Sequence, residues 1–370
     1  MAGSSSSSGK RLSFLDWTRG CATVIMLQGH VFHSFTHKDL RSDSPYVLSQ
    51  FFGGLTPAVF LFVTGVTLAF LMDSQSRKEP TAWRRVLAAI YRARYLILIG
   101  LAFRLQQWLT AFGQSDWQNV FKVDILNCMA ASVVVLAPLA LVDTRERLRF
   151  GALAGLAIAC ASPFISQLGF TWLHPFLRDY FVPNPNCFPI FPWGAFLAFG
   201  LSCGSGLRLV KEEDLSRVMQ WVALGGIVLM LAARFAADLP FSLYPQSDFW
   251  LNSPALIFIK TGVILLICCW AFLLNNYLNP NGWSFVRQLG TTSLLVYWVH
   301  TELVYGRWLG AFKENLSVPQ TVLLALFVIA FMVLLSVART GWKGFPGVLP
   351  LFKEWWASVR QPLAQPATGD

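Results

Sequence analysis

Two side chains in the first apolar stretch of the sequence have chemistry suited to group transfer. Arg19 and His30 are eleven residues apart, which places them within about 20° of the same helix face and separates them by roughly 16 Å of rise. A guanidinium binds phosphates or a thioester carbonyl through its planar fork of donors. A neutral imidazole takes a proton from a hydroxyl, amine or thiol near neutral pH. One helix face therefore offers a cationic site and a general base.

This face is the centre of a longer polar stripe. Steps of three and four residues join Asp16, Arg19, Thr23, Met26, His30, His33 and His37. Ionisable groups inside a membrane span cost at least a few kcal/mol, so each is a functional candidate. We interpret Asp16, Arg19 and His30 as candidate catalytic residues, with His33 and His37 as alternative bases. The competing interpretation is that Asp16 and Arg19 pair at the membrane edge while the histidines lie in an outer loop.

Three further ionisable residues occur in later apolar stretches. Lys260 and Glu302 lie at similar depths, roughly 10 Å from the outer ends of their spans, so we expect them to neutralise one another. Such a pair serves either the structure or the acceptor side of a site. His300 precedes Glu302 by two residues and faces roughly the other way, which leaves acceptor contact and a structural hydrogen bond both open.

The elements that must position these residues are membrane helices. The 370 residues are 55% hydrophobic and only 13% charged, with a mean hydropathy of +0.52, which excludes an ordinary soluble globular protein. The apolar stretches are long enough to cross a bilayer as helices, and they predict an all-α polytopic membrane protein with about ten transmembrane helices. The predicted spans are 14–34, 51–72, 93–111, 124–142, 150–168, 188–206, 218–236, 254–275, 290–309 and 319–338.

The charge distribution predicts an orientation. The chain has a net charge of +10, which in a soluble domain would suggest nucleic acid, but basic loops of membrane proteins mark the cytoplasmic side. Ten spans place 19 of the Lys and Arg residues on the side of the termini and 8 on the other. We therefore expect both termini in the cytoplasm and no nucleic-acid partner.

The remaining organisation is simple. Residues 1–10 form a Ser-rich stretch that predicts a disordered tail, residues 11–340 form the transmembrane domain, and residues 341–370 form a cytoplasmic tail. The seven cysteines form no CxxC pair and no His pair has metal-ligand spacing, so we expect no metal site. No internal repeat is visible, which disfavours a transporter.

Four motifs, in order along the chain, resemble those of transmembrane acyltransferases. They are RLSFLDWTRGCATVIMLQGH (11–30) with its Arg-x10-His arrangement, FLFVTGVTLAF (60–70), FPIFPWGAFLAFG (188–200) and LGTTSLLVYWVH (289–300). The last two are similar, more narrowly, to the heparan-alpha-glucosaminide N-acetyltransferase catalytic-domain family and its bacterial relatives.

The resemblance implies acetyl-coenzyme A or another acyl-coenzyme A as a cytosolic donor, with no metal cofactor. The acceptor would be a hydroxyl or amine of an extracytoplasmic sugar, glycan or glycolipid, and the protein would lie among the lipids of the bacterial cytoplasmic membrane. The basic cluster Arg84, Arg85, Arg92 and Arg94 would then bind the coenzyme A phosphates, although topology alone also places basic residues there.

Two departures from the family pattern keep alternatives open. Three histidines, His30, His33 and His37, compete for the role of base, and the region 125–133 lacks the glycine that the pattern leads us to expect. A catalytically inactive membrane scaffold is compatible with the missing glycine. A transporter or flippase of a lipid-linked sugar is the main alternative from another functional class.

Overall fold

The computed structural model describes residues 13–79, 81–111, 113–241, 243–279 and 282–341. These residues are helical apart from turns and one isolated bridge between Thr36 and Leu316. The helices are α1 (Ser13–Phe35), α2 (Ser44–Gly53), α3 (Thr56–Lys78), α4 (Ala82–Thr110), α5 (Ile125–Leu136), α6 (Thr144–Leu168), α7 (Pro175–Arg178), α8 (Ile190–Leu209), α9 (Leu215–Ala237), α10 (Pro254–Leu273), α11 (Phe285–Thr291), α12 (Ser293–Tyr305) and α13 (Val318–Gly341). The predicted tail 1–10 lies outside the described residues, as does the predicted tail 341–370 apart from Gly341, which ends α13.

The expected all-helical membrane architecture is confirmed, with seven helices of the described chain long and apolar enough to cross a bilayer. They are Ser44–Lys78, which joins α2 to α3, Ala82–Thr110, Thr144–Leu168, Ile190–Leu209, Glu212–Ala237, Pro254–Leu278 and Val318–Gly341. The number differs from the ten expected spans.

The three other expected spans fall on helices that are too polar or too short to count among these seven. Helix α1 is 23 residues long but carries the polar stripe with Asp16, Arg19 and His30. Helix α5 and its 3-10 continuation end after Leu141, which makes a shorter apolar element. The stretch 290–309 is interrupted at Thr292, which separates the 7-residue α11 from the 13-residue α12.

Glycines bring α3 and α8 into backbone contact. A Cβ at Gly65 would overlap the Leu197 carbonyl, and one at Gly200 would overlap the Phe62 carbonyl. Lipid supplies little hydrophobic force between helices, so small residues that permit close approach dominate such interfaces. The second and third motifs of the sequence are thus the two sides of one helix contact.

Helices α1 and α11 meet in the same way. A Cβ at Gly20 would overlap the Val286 carbonyl, and one at Gly290 would overlap the Asp16 carbonyl. The first and fourth motifs therefore also face one another. Because each glycine abuts backbone rather than a mobile side chain, neither position has room for a larger residue.

Helix α1 lies between two apolar cores. Its first half, with Phe14 and Trp17, joins the large core built by α3, α5, α8 and α10. Its second half, with Leu27 and Val31, packs against α12 and α13 in a smaller core. This central place holds the first part of the polar stripe inside the protein, since Asp16, Thr23 and Met26 are all buried.

Gly20→Ala should destabilise the protein by about 1–3 kcal/mol, because the added methyl group forces α1 away from α11. Thermal unfolding of the full chain in detergent measures the change. Gly225→Ala in α9 is the matched control, because no atom lies within 4 Å of the place that its added methyl group would occupy. That control should be neutral or slightly stabilising. Equal midpoints for the two variants would contradict the tight α1–α11 contact.

Candidate functional site

Two histidines from distant parts of the sequence meet near the C-terminal ends of α1 and α12. The Nδ1 atom of His30 in α1 lies 2.9 Å from the Nε2 atom of His300 in α12, and the two ring planes are 20° apart. His300 is fully buried, and its Nδ1 atom lies 2.6 Å from the Val296 carbonyl oxygen. The contact between α1 and α12 therefore positions both imidazoles.

These contacts determine the tautomers of the neutral pair. A carbonyl oxygen only accepts, so His300 must donate its Nδ1 proton to Val296. The Nε2 atom of a neutral His300 then carries a lone pair and accepts the Nδ1 proton of His30. It follows that the Nε2 atom of His30 holds the remaining lone pair. This atom is the one that can take a proton from a substrate.

The two alternative bases lie in different surroundings. His33 is exposed, and its Nδ1 atom is 3.5 Å from the Tyr305 hydroxyl. The ring of the same tyrosine packs edge-on against His30. His37 is also exposed, accepts a hydrogen bond from the Asp39 backbone and lies 3.5 Å from the Asp39 carboxylate. Of the three candidates, His30 is the one that contacts a second histidine at hydrogen-bond distance.

An exposed ion-pair network joins the segment after α1 to the segment before α13. The Glu314 carboxylate lies 2.9 Å from the Lys38 ammonium and 3.1 Å from the Arg41 guanidinium. The hydrogen bond from Lys38 is the main reason why the pKa of Glu314 falls below its usual value. In the backbone, the His37 N–H donates to the Leu316 carbonyl and the Leu316 N–H donates to the Phe35 carbonyl, which joins the same two segments. The end of α1 that carries His30 is thereby fixed to the loop before α13.

The opposite end of the stripe borders a cleft of about 500 Å³. Arg19, Arg339, Thr340 and residues 290–295 line it. The Arg19 guanidinium lies 3.4 Å from the Asp16 carboxylate, which is 5% exposed. Two guanidinium groups and several hydroxyls thus border one cavity, a combination that suits an anionic ligand.

The helix break at Thr292 adds to the positive character of this cleft. The first residues of α12, Ser293 to Leu295, line it, and the first N–H groups of a helix have no intrahelical partner. The break is held against α13, because the Thr292 hydroxyl lies 2.6 Å from the Ser336 hydroxyl and Gln288 donates to the Ser336 carbonyl. Helices α1 and α12 both run from this cleft to the histidine pair.

The family described as Heparan-alpha-glucosaminide N-acetyltransferase, catalytic, matches residues 11–226, more than half of the chain. The chain belongs to this family. Members of this family use acetyl-coenzyme A. Membership implies an acetyltransferase-like function for this protein. A search of curated proteins found no match.

The family match contains Asp16, Arg19 and His30 but ends before the last helices. Lys260, His300 and Glu302 therefore lie beyond it, and the second histidine of the pair comes from the part of the chain that the family does not cover. The α1–α12 contact joins the two parts.

The expected pairing of Lys260 with Glu302 is wrong. The Lys260 ammonium donates to the Gly54 carbonyl at 3.1 Å and lies over the Trp193 ring, 5.2 Å from its centre. The Glu302 carboxylate instead accepts a hydrogen bond from the Trp308 indole. Two residues at the same depth in their spans can pair only if their helices are neighbours. Helix α10, which carries Lys260, packs on α9, α1 and α8, whereas α12, which carries Glu302, packs on α1 and α13.

The four arginines of the expected coenzyme A cluster do not share one face of α4. Arg85 and Arg92 are seven residues apart and lie within about 20° of each other, whereas Arg94 is turned by about 180° from Arg85. Arg94 packs over the Tyr91 ring, and Arg84 lies 3.6 Å from the Glu79 carboxylate. A continuous helix therefore cannot gather all four around one ligand.

A buried arginine in the first turn of α6 was missed because it looked like a topological marker. Arg147 is 1% exposed, and its guanidinium donates to the carbonyls of Leu139 and Val142. Those carbonyls end the 3-10 continuation of α5, where no further helical N–H is available. The role of Arg147 is structural, and no sequence pattern distinguished it from the surface arginines beside it.

Two charged residues on α4 and before α5 were also missed as site candidates. Arg104 and Asp124 form an ion pair at 3.6 Å, with the Asp124 side chain almost fully buried. The signal was present, since Arg104 lies inside a predicted span and Asp124 begins the next one. Both positions sit close enough to span ends to be taken as loop residues.

Proposed function

We propose that this protein is an integral-membrane acyltransferase that moves an acetyl or acyl group from cytosolic acyl-coenzyme A to a hydroxyl or amine of an extracytoplasmic sugar or glycan. The observation that carries the proposal is the hydrogen-bonded pair of His30 and His300, which leaves a lone pair on the Nε2 atom of His30. Membership of the N-acetyltransferase family supports the same reaction class.

The proposed step is general-base catalysis. The Nε2 atom of His30 takes the proton of the acceptor hydroxyl or amine as its oxygen or nitrogen attacks the thioester carbonyl. A carbon–oxygen or carbon–nitrogen bond forms, the carbon–sulfur bond breaks, and the coenzyme A thiolate leaves. The imidazolium then returns its proton to the thiolate. The product is the acylated acceptor and free coenzyme A.

The donor side is supported by charge and topology. In an arrangement of ten crossings, in which α1, α5 and the α11–α12 pair also cross the bilayer, the 19 basic residues on the side of the termini favour both termini in the cytoplasm of a bacterial cell. Arg19 and Arg339 then border a cytoplasmic cleft that could hold the donor phosphates. Along α1, roughly 16 Å separates Arg19 from His30, which the flexible pantetheine arm must span.

Arg339→Ala should weaken acetyl-coenzyme A binding by about tenfold or more, since a hydrogen bond to a charged group contributes about 1.5–3 kcal/mol. Calorimetric titration of the full chain with acetyl-coenzyme A measures the change. Arg19→Ala should act in the same direction, although it also leaves the buried Asp16 carboxylate without its ion-pair partner. For that reason Arg339 gives the sharper test.

Arg149→Ala is the matched control for this experiment, because Arg149 is exposed and forms an ion pair with Glu146 on the same side. Its loss should leave the affinity unchanged. A larger effect from Arg85→Ala than from Arg339→Ala would move the phosphate site from the cleft to α4.

The reaction itself is tested by incubating the purified protein with acetyl-coenzyme A labelled in the acetyl group, with and without crude envelope glycans. The proposal predicts label in the glycan fraction that depends on both protein and acceptor. A transporter, a flippase or an inactive scaffold predicts no transfer of label.

A further inference from the structure

A compact polar cluster lies between α4, the start of α5 and α12. Asp124 precedes α5, and its Oδ1 atom accepts the backbone N–H of Asn127 at 2.9 Å. Its Oδ2 atom lies 3.6 Å from the Arg104 Nε atom, an ion-pair distance that is too long for a hydrogen bond. Asp124 and Asn127 are each only 1% exposed.

Four buried polar atoms of this cluster have no hydrogen-bond partner among the described residues. They are Arg104 Nε, Asp124 Oδ2 and both amide atoms of Asn127. A buried donor or acceptor without a partner costs about 1–3 kcal/mol, and most buried polar groups in proteins are paired. Four such atoms on three neighbouring side chains indicate a place where a polar ligand supplies the missing partners.

The cluster adjoins the histidine pair through aromatic side chains. Trp298 on α12 donates its indole N–H to Gln106 on α4, which holds the two helices together. The Phe103 ring lies 5.2 Å from the Tyr297 ring, and the Tyr297 ring lies 6.0 Å from the His300 ring.

Room for the Asn127 amide depends on a glycine of α4. A Cβ at Gly100 would lie 2.9 Å from the Asn127 Oδ1 atom and 3.3 Å from its Cγ atom. Any larger residue at this position would therefore press on the amide. The missing side chain of Gly100 thus leaves space for the Asn127 amide, although that amide forms no hydrogen bond with α4.

We propose that Arg104, Asp124 and Asn127 form the subsite that binds a saccharide acceptor. An amide offers both donors and acceptors, and a carboxylate accepts two hydrogen bonds, so together they match adjacent hydroxyls, or a hydroxyl beside an amine. The link to transfer rests on the proposed function, whereas the binding site itself does not require it.

The test is calorimetric titration of the full chain in detergent with D-glucosamine and D-glucose as probes, without any acyl donor. Asn127→Leu should weaken binding of the sugar by about tenfold or more, because two polar partners are lost. The same variant should unfold at an equal or higher temperature, since a buried amide without partners is removed. A purely structural asparagine predicts the reverse, a lower unfolding temperature with unchanged affinity.

Ser162→Ala is the matched control, because the Ser162 hydroxyl on α6 is also fully buried and has no hydrogen-bond partner among the described residues. It should leave sugar affinity unchanged. Asp124→Asn, which keeps the side-chain shape, gives a second variant with the same expected loss of binding.

Two results would overturn the subsite: wild-type protein that binds neither sugar, or Asn127→Leu and Asp124→Asn proteins that bind as tightly as the wild type. Sugar binding that depends on these residues, in a protein that transfers no label from acetyl-coenzyme A, would refute the proposed reaction and leave the subsite standing.

Discussion

His30→Ala should lower the rate of acyl transfer by about 10²–10⁴-fold, the usual contribution of a general base, while the affinity for acetyl-coenzyme A stays nearly unchanged. In the proposed reaction, the lone pair on the Nε2 atom of His30 receives the acceptor proton. The same proposal places the donor phosphates at the other end of the stripe, in the cleft that Arg19 borders. Initial rates with labelled acetyl-coenzyme A, together with calorimetric titration of the donor, separate the two effects.

His33→Ala and His37→Ala are the controls, because both side chains lie at the exposed end of the same stripe. Each should retain most of the activity. Near-normal transfer by His30→Ala with a loss in one of the other two would assign the base to that residue. If all three variants stay active, the mechanism with a histidine base is wrong.

The helices could be predicted because burial in lipid requires long apolar stretches. Each of the ten predicted spans falls on helical residues, and seven belong to helices that meet the criteria for a crossing. The break at Thr292 was missed, because the nearby Gly290 is a residue type that continuous membrane helices commonly contain. The break instead coincides with tertiary contacts, since Thr292 and Gln288 both form hydrogen bonds with Ser336 on α13.

Within one helix, residue spacing was sufficient to predict which side chains share a face. The arrangement of Asp16, Arg19 and His30 follows from the helical period, and the structure places all three along one side of α1. The partner of His30 lies 270 residues away. Its identity depends on which helices are neighbours, and one sequence does not contain that information.

The same limit explains why the polar cluster around Asn127 was overlooked. The segment 125–133 drew attention because it lacks a glycine, whereas the structure shows that the amide at its start is the unusual feature. An asparagine on a helix is a common residue, and it becomes unusual only when the structure shows that its side-chain amide is buried. Only the packing of α4 against α5 reveals that the amide has no partner among the described residues.

His300→Phe should lower the turnover number for acyl transfer by about 10²-fold or more, with little change in the Michaelis constant for acetyl-coenzyme A. His300 accepts the Nδ1 proton of His30 and so keeps the lone pair of His30 on Nε2. Loss of the group that fixes the tautomer of a catalytic histidine costs about 10⁴-fold in serine proteases. Phenylalanine keeps the ring in the buried site but accepts no proton.

His300→Gln is the discriminating partner of that variant, because its amide oxygen can stand near the position of Nε2 and accept from His30. It should restore most of the turnover even though the bond to Val296 is lost. Nitrogen NMR of labelled histidine provides a readout without activity, and the chain has only five histidines to assign. The His30 Nε2 atom should be unprotonated in the wild type and should gain a protonated population in His300→Phe. If the glutamine and phenylalanine variants lose turnover and thermal stability equally, His300 merely fills space and does not set the tautomer of the base.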